Sequence, residues 1–340
     1  MKKLCFAFVF CAMLFVSCGE KKNVLHLFNW TYYMPDSIIQ KFEEKFDAEV
    51  QLDTYASNEE MFAKLLGGAT GYDLVVPGQD FIEVMIKLDM ISEIDLSKIP
   101  NTKYLNPKTL AKAKFDPHMQ YNVPYFFGAS GIMVNKTKVP PDYPRDWSIF
   151  ADERFKGKMC MMDDRREVIG DALNYLGYSV NSVDDKELEE AYHLINDKWK
   201  PNLAKFDAES FGKSFASGDF WVAQGYPEVV FSEYPEDKWD DIDFFIPESG
   251  GPSYLEGFCI PRTAKNRDLA HEFINFFHTP EIYAEFLDYF RFPATVNSGA
   301  AEFTKLKPHY TPEDVENCEL RVELGENLQK YDAIWEKIRH

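Results

Sequence analysis

VLHLFNWTYYMPDSIIQKFEEKFDAEVQLDTYASNEEMFAKLLGGATGYDLVVPG, residues 24–78, decides the fold class. Val24-Leu-His-Leu-Phe28 is an apolar run of buried-strand length, ending at Asn29-Trp30-Thr31-Tyr32-Tyr33. Pro35 then opens a helix expected from about 36 to 46, with Ile38, Ile39, Phe42 and Phe46 on one face. Val50–Thr54 reads as a second strand. Ser57 stands three residues before Glu60, the spacing of a capping box, and starts a helix that runs through Leu66 and stops at Gly67-Gly68. Tyr72–Val76 is a third strand, halted by Pro77-Gly78. The order is βαβαβ, so the sheet is parallel with helices on both faces.

The alternation continues along the chain. Strands are expected at 123–127 and 131–135, split at Gly128 and Gly131, and at 158–162, 220–224, 243–246 and 255–260. Helices are expected near 146–151, 167–176, 185–198 and 208–217 and after Pro227, and the last third reads mostly helical. Two such series in 340 residues make two α/β lobes of ordinary size. Ligands of such sheets bind beyond the carboxyl ends of strands. That rule brings Trp30–Tyr33, Gly78–Phe81, Asp163–Glu167, Gln224 and Tyr254–Glu256 to one cleft between the lobes.

The start of the chain has its own chemistry. Lys2 and Lys3 precede an apolar segment, Leu4–Val16, too short to span a bilayer, and Ser17-Cys18 follows. Residues 1–17 are expected to be a lipoprotein signal peptide, Cys18 the lipidated residue and 18–23 a tether. That places the body in the periplasm, held to a bacterial membrane by lipid. The chain carries a formal charge of −19, with 45% hydrophobic and 16% aromatic residues. Such a chain has ample material for cores, repels nucleic acid and attracts cations. Cys160, Cys259 and Cys318 remain after the signal and Cys18, and three thiols allow at most one intrachain disulfide. Cys160 and Cys259 lie in apolar runs and read as buried free thiols.

The motifs of common enzymes are absent: no G-x-S-x-G, no phosphate-binding loop, no G-x-G-x-x-G, no H-E-x-x-H and no C-x-x-C. What the strand ends offer is aromatics and carboxylates: Trp30, Tyr32, Tyr33, Asp80, Phe81, Asp163, Asp164, Glu167, Tyr254 and Glu256. A buried ammonium needs a carboxylate, because uncompensated desolvation costs several kcal/mol. Aromatic faces add about 0.5–2 kcal/mol each and cover the methylenes between charges. Each piece also has a plain structural use: Trp30 and Tyr33 as core, Asp164 and Glu167 as a helix start, Glu256 as a solvated strand residue.

Asn29–Tyr33, Tyr55–Met61 with Ala63-Lys64-Leu65, Tyr72–Pro77, Asp163–Val168 and Asn275-Phe276 resemble the spermidine/putrescine-binding proteins of polyamine ABC importers, from about Val24 to the C-terminus. The resemblance implies a type II periplasmic-binding fold. Its lobes would be 24–131 plus 255–300 and 132–254 plus 301–340, with a hinge crossed more than once. It further implies a monomeric receptor without cofactor or catalytic step, which hands putrescine or spermidine to an inner-membrane permease. By the same resemblance Trp30, Thr31 and Tyr33 match the first-loop aromatic box and polar contact, and Asp164 and Glu167 match the ammonium-binding carboxylates. Tyr254 stands where the family often has Trp, Glu256 for an amine-pairing Asp, and Phe292 for a Tyr.

Four positions depart from the family pattern: Gly78 replaces a Ser, Asp80 a Tyr, Gln224 a Trp and Arg321 a Gln. An arginine facing a polyamine repels it unless paired, and the expected partner is Asp80. Such a pair would fill one end of the cleft and favour putrescine over spermidine. A receptor for another small cationic solute stays open, as do a lipid-tethered hydrolase or lyase and a surface-interaction protein.

Overall fold

The computed structural model describes residues 23–340, so the signal peptide and Cys18 lie outside the described residues. The opening stretch folds as β1 (Asn23–Trp30), α1 (Asp36–Phe46), β2 (Ala48–Tyr55), α2 (Asn58–Leu66) and β3 (Leu74–Val75). β1 lies between β2 and β3 and is parallel to both, as βαβαβ requires. Ser57 caps α2 by accepting from Glu60 N at 3.1 Å. The Glu60 carboxylate reaches back to Ala56 N at 2.8 Å, so the reciprocal bond falls one residue earlier than in the usual box. β3 is shorter than expected. Beyond Val75 its place beside β10 is held only by isolated bridges, Val75 to Cys259 and Gly78 to Glu256.

α3 (Gln79–Lys87) and α4 (Pro107–Lys112) lead to β4 (Val123–Ala129) and β5 (Gly131–Asn135). Only Ser130 separates these strands, yet they enter different sheets, so the first crossing between lobes is one residue long. The second lobe follows with β6 (Met159–Met161), α5 (Arg165–Tyr175), α6 (Asp185–Leu194), β7 (Leu203–Phe206), α7 (Phe211–Ser217), β8 (Val222–Gly225), α8 (Pro227–Phe231) and β9 (Ile242–Phe245). Its mixed sheet has the order β7-β6-β8-β5-β9. The chain returns through β10 (Pro252–Phe258), antiparallel to β4, then α9 (Arg267–Phe277), α10 (Pro280–Phe290) and β11 (Glu319–Leu320). It ends on α11 (Leu328–Arg339).

Two expected helices take other forms. Residues 147–151 are a single 3-10 segment, with Asp146 accepting from Ser148 N. The run begun by α6 turns π-helical over Ile195–Trp199, just before Pro201, which has no N–H to continue it.

Each lobe has its own apolar core. The first gathers Leu25, Ile38, Phe42, Phe126, Phe258, Phe277 and Phe286. The second gathers Ile132, Trp147, Ile169, Trp199 and Val222. Side chains of this size contribute about 1.5–3 kcal/mol each when buried. Val315, Cys318 and Leu320 pack into the first core, whereas Tyr331, Trp335 and Ile338 of α11 pack into the second. The last crossing therefore falls between 320 and 331, later than residue 300. At the second crossing Gly250 has φ +85°, and a Cβ there would sit 2.3 Å from Asn317 O, so no side chain fits. Cys160, Cys259 and Cys318 are buried and free.

Candidate functional site

A cavity of about 910 Å³ opens between the lobes, at the carboxyl ends of β1, β3 and β8. Its first-lobe wall includes Trp30, Thr31, Tyr33, Asp80, Tyr254, Glu256 and Arg321. Its second-lobe wall comes from α8 and the residues around it: Tyr226, Glu228, Phe231, Ser232 and Trp239.

The aromatic walls are braced from behind. Trp30 Nε1 donates to Val76 O at 2.9 Å, and its ring lies 4.9 Å from that of Tyr55. Thr31 Oγ1 donates to Tyr55 O, so its hydroxyl is engaged. Tyr33 packs edge-on to Tyr125 and Phe292, and its hydroxyl donates to Glu256 Oε2 at 3.5 Å. Tyr226 and Tyr254 meet edge-to-face at 5.4 Å, one from each lobe. Tyr32 is 91% exposed at the cavity mouth, with φ 59°.

The acidic groups fall into two sets. Asp164 caps α5, accepting from Arg166 N at 2.7 Å and Glu167 N at 3.2 Å. Glu167, one turn inside, is buried. It accepts from Ser130 Oγ at 2.6 Å and from the Tyr226 hydroxyl at 3.4 Å. Arg321 Nη1 lies 2.9 Å from Glu167 Oε1 and 3.8 Å from Asp164 Oδ2. Arg321 thus pairs with Glu167 rather than with Asp80, the partner expected from the sequence. Asp80 acts on Arg321 only at longer range, behind Glu167, Tyr226 and Asp164. The local structure explains this: Asp80, in the first turn of α3, accepts from its own neighbour, Phe81 N, whereas Glu167 sits beside Ser130 at the β4–β5 crossing. These surroundings hold Arg321 firmly charged against the cost of its burial.

The second set, Glu256 and Glu228, has no ion-pair partner among the described residues, and Arg321 reaches only Glu256, at a distance. Burial pushes the Glu256 carboxyl up to about 8 and that of Glu228 up to about 7.

Two of the sequence candidates lie behind the cavity rather than on it. Gln224 is fully buried, its Oε1 accepting from Met162 N at 2.8 Å and its Nε2 donating to Ser130 Oγ at 3.2 Å. Phe292 stacks on Phe126 at 4.0 Å and is 2% exposed. Asp164 and Glu167 border the Arg321 end without lining the main cavity. Conversely, Tyr226, Glu228, Trp239 and His309 line the cavity without having been expected from the sequence. The only signal for Tyr226 and Glu228 was their place just after β8, flanking Pro227 at the start of α8.

A model of the family described as bacterial extracellular solute-binding protein matches residues 37–312. The chain belongs to this family. Solute-binding proteins are transport receptors without a catalytic step, which agrees with the missing enzyme motifs. The spermidine/putrescine-binding periplasmic protein of Escherichia coli K12 is 33% identical over 328 residues, covering 94% of this chain and 93% of that protein. A putrescine/cadaverine-binding protein of Pseudomonas aeruginosa is 35% identical over 263 residues, 74% of this chain and 73% of that one. Among solved structures, this solute-binding protein matches the TpPotD lipoprotein of Treponema pallidum with a TM-score of 0.90 and 51% identity, over 93% of this chain and 99% of that one. The two-lobe, type II periplasmic-binding architecture follows from these matches and from the observed sheets.

Proposed function

We propose that this solute-binding protein is the polyamine receptor of an ABC importer and prefers putrescine over spermidine. The observation that carries the preference is the Arg321–Glu167 pair. One end of an aromatic, acidic cleft already holds a cation of the chain's own. A short diamine fits the space that remains, whereas the longer triamine would bring an ammonium against the guanidinium. Trp30, Tyr33, Tyr226 and Tyr254 cover the methylenes, and carboxylates meet the ammonium ends.

Binding closes the lobes about their crossings and expels water, and the closed form is what a membrane permease reads. The named E. coli and P. aeruginosa relatives support the polyamine class. Cys18 carries the lipid that keeps the receptor, a monomer, at the membrane on the periplasmic side.

Thermal melting of ligand-stripped protein with a panel of amines and amino acids tests this reading. Anything that binds only the folded state stabilises it by about 2.7 kcal/mol at a hundredfold excess over Kd. Putrescine should raise the melting temperature most, spermidine and cadaverine less, and amino acids not at all. A panel in which no amine shifts the transition contradicts the polyamine class.

A further inference from the structure

Two cavity carboxylates, Glu256 and Glu228, form no ion pair with Arg321 or with any other described cation. Glu256 lies on β10 where the register against β4 shifts before Gly257, an irregularity of the kind that re-aims a strand side chain. It is 8% exposed, lines the cavity, and accepts from the Tyr33 hydroxyl at 3.5 Å and from its own backbone N–H. Glu228 stands in the first turn of α8 and lines the same cavity from the other lobe. Neither carboxylate has an ion-pair partner among the described residues, and the Glu228 carboxylate accepts only from its own backbone N–H there. The two are close enough for Glu228 to raise Glu256 further.

Among the described residues, the other groups facing them supply no cation that is not already paired. Tyr33, Tyr254 and Tyr310 feel Glu228 and present hydroxyls. Arg291 lines the cavity but pairs with Glu236 at 2.9 Å and lies over Trp239. His309 is stacked on Phe231 at 3.9 Å and held neutral, its value pushed down to about 3 by burial and by Arg291. Glu233 adds a further negative group to the lining. Arg321 acts on Glu256 but is committed to Glu167. An acidic pair that lines one cavity from two lobes, with aromatic faces on both sides and no ion-pair partner among the described residues, is complementary to a primary ammonium.

We propose that Glu228 and Glu256 together receive one terminal ammonium of the ligand, which makes Glu228 a specificity-determining residue that clasps the ligand from the second lobe. This rests on the amine-receptor reading above and names the groups that enact it. In the empty cleft the pair holds a proton near neutral pH, because burial disfavours two charges there. The incoming ammonium supplies the compensation instead. The carboxyl proton then passes to the buffer while the ligand keeps all of its own.

The test is calorimetric titration of ligand-stripped full chain in detergent with putrescine, at pH 7.5, in two buffers of different ionisation heat. Wild type should release a proton on binding. Glu228→Gln should bind about tenfold to a hundredfold more weakly, as expected for a lost charge-assisted contact, and release less. Glu228→Asp, which keeps the charge, should retain proton release at intermediate affinity. Equal melting temperatures without ligand check that the variants fold. Glu228→Gln that binds within about twofold of wild type, with the same proton release, overturns this inference and leaves the receptor reading standing. Wild type that binds no amine overturns both.

Discussion

Arg321 Nη1 and Glu167 Oε1, 2.9 Å apart, join the segment after β11 of the first lobe to the first turn of α5 in the second. Glu167 also takes a hydrogen bond from Ser130, the one-residue crossing between β4 and β5. A single buried carboxylate therefore ties a crossing segment, the last strand's exit and the cleft wall at Tyr226 into one knot. In the proposed reading, this knot closes one end of the cleft to the ligand.

Arg321→Gln should separate stability from specificity. Removing the guanidinium leaves Glu167 buried without its cation, and breaking such pairs costs about 3–5 kcal/mol. Chemical denaturation should report a loss toward the lower figure, because Ser130 and Tyr226 still donate to Glu167. The same variant should bind spermidine better relative to putrescine than wild type does, measured by calorimetry. An unchanged ratio would mean that the guanidinium does not limit ligand length.

Asp171 offers a pH test. It is fully buried one turn beyond Glu167, neither oxygen has a hydrogen-bond partner among the described residues, and burial with the nearby Glu167 raises its carboxyl well above the usual range. A carboxyl raised on folding contributes stability that is fully present below its unfolded value, about 3.9, and lost as pH climbs toward the folded one. Asp171→Asn should match wild type near pH 4 and exceed it at pH 8 in urea midpoints. Glu256 and Glu228 slope the same way up to about 8 and about 7, so the variant keeps part of the dependence. A wild-type advantage at pH 8 would show that Asp171 is ionised and compensated.

Gln224 and Phe292 should behave as supports. Gln224→Ala strands the Met162 N–H and should cost about 3 kcal/mol. Phe292→Ala removes the ring stacked on Phe126 and should cost about 3–5 kcal/mol. Both should show in denaturation midpoints while the folded fraction binds putrescine with nearly wild-type affinity. A large affinity loss with unchanged stability would return them to the ligand.

Cys18→Ala should release the protein from membranes into the soluble periplasmic fraction. Immunoblots of fractionated cells decide it, and a variant that stays with the membrane rules out Cys18 as the anchor.

The lobes were legible because periodicity and strand ends are local properties. The stretch 24–78 announces β1 to β3 through Pro35, Ser57 and Gly67-Gly68, each acting on its own neighbours. The cleft was legible only as far as chain direction carries. Trp30, Tyr33, Tyr254 and Glu256 sit at strand ends or on a strand facing the other lobe, and the structure brings them together. Gln224 and Tyr226 differ by two residues, yet the first points into the sheet interior from β8 and the second lies beyond its end. Where a strand stops is not written in its apolar pattern. Likewise Tyr289, Phe290 and Phe292 flank Arg291, whose left-handed backbone, φ 57°, decides which ring turns inward. The partner of Arg321 depended on how three distant segments meet at the hinge, which no local rule states.

In the proposed reading the cleft takes a short diamine because Arg321 and Glu167 fill its far end. Calorimetric titration of protein stripped of ligand by unfolding and refolding, with putrescine and spermidine side by side, tests it most directly. Saturable, one-to-one binding, tighter for putrescine, is the expected result. Tighter spermidine binding, or no heat from either amine, would contradict it.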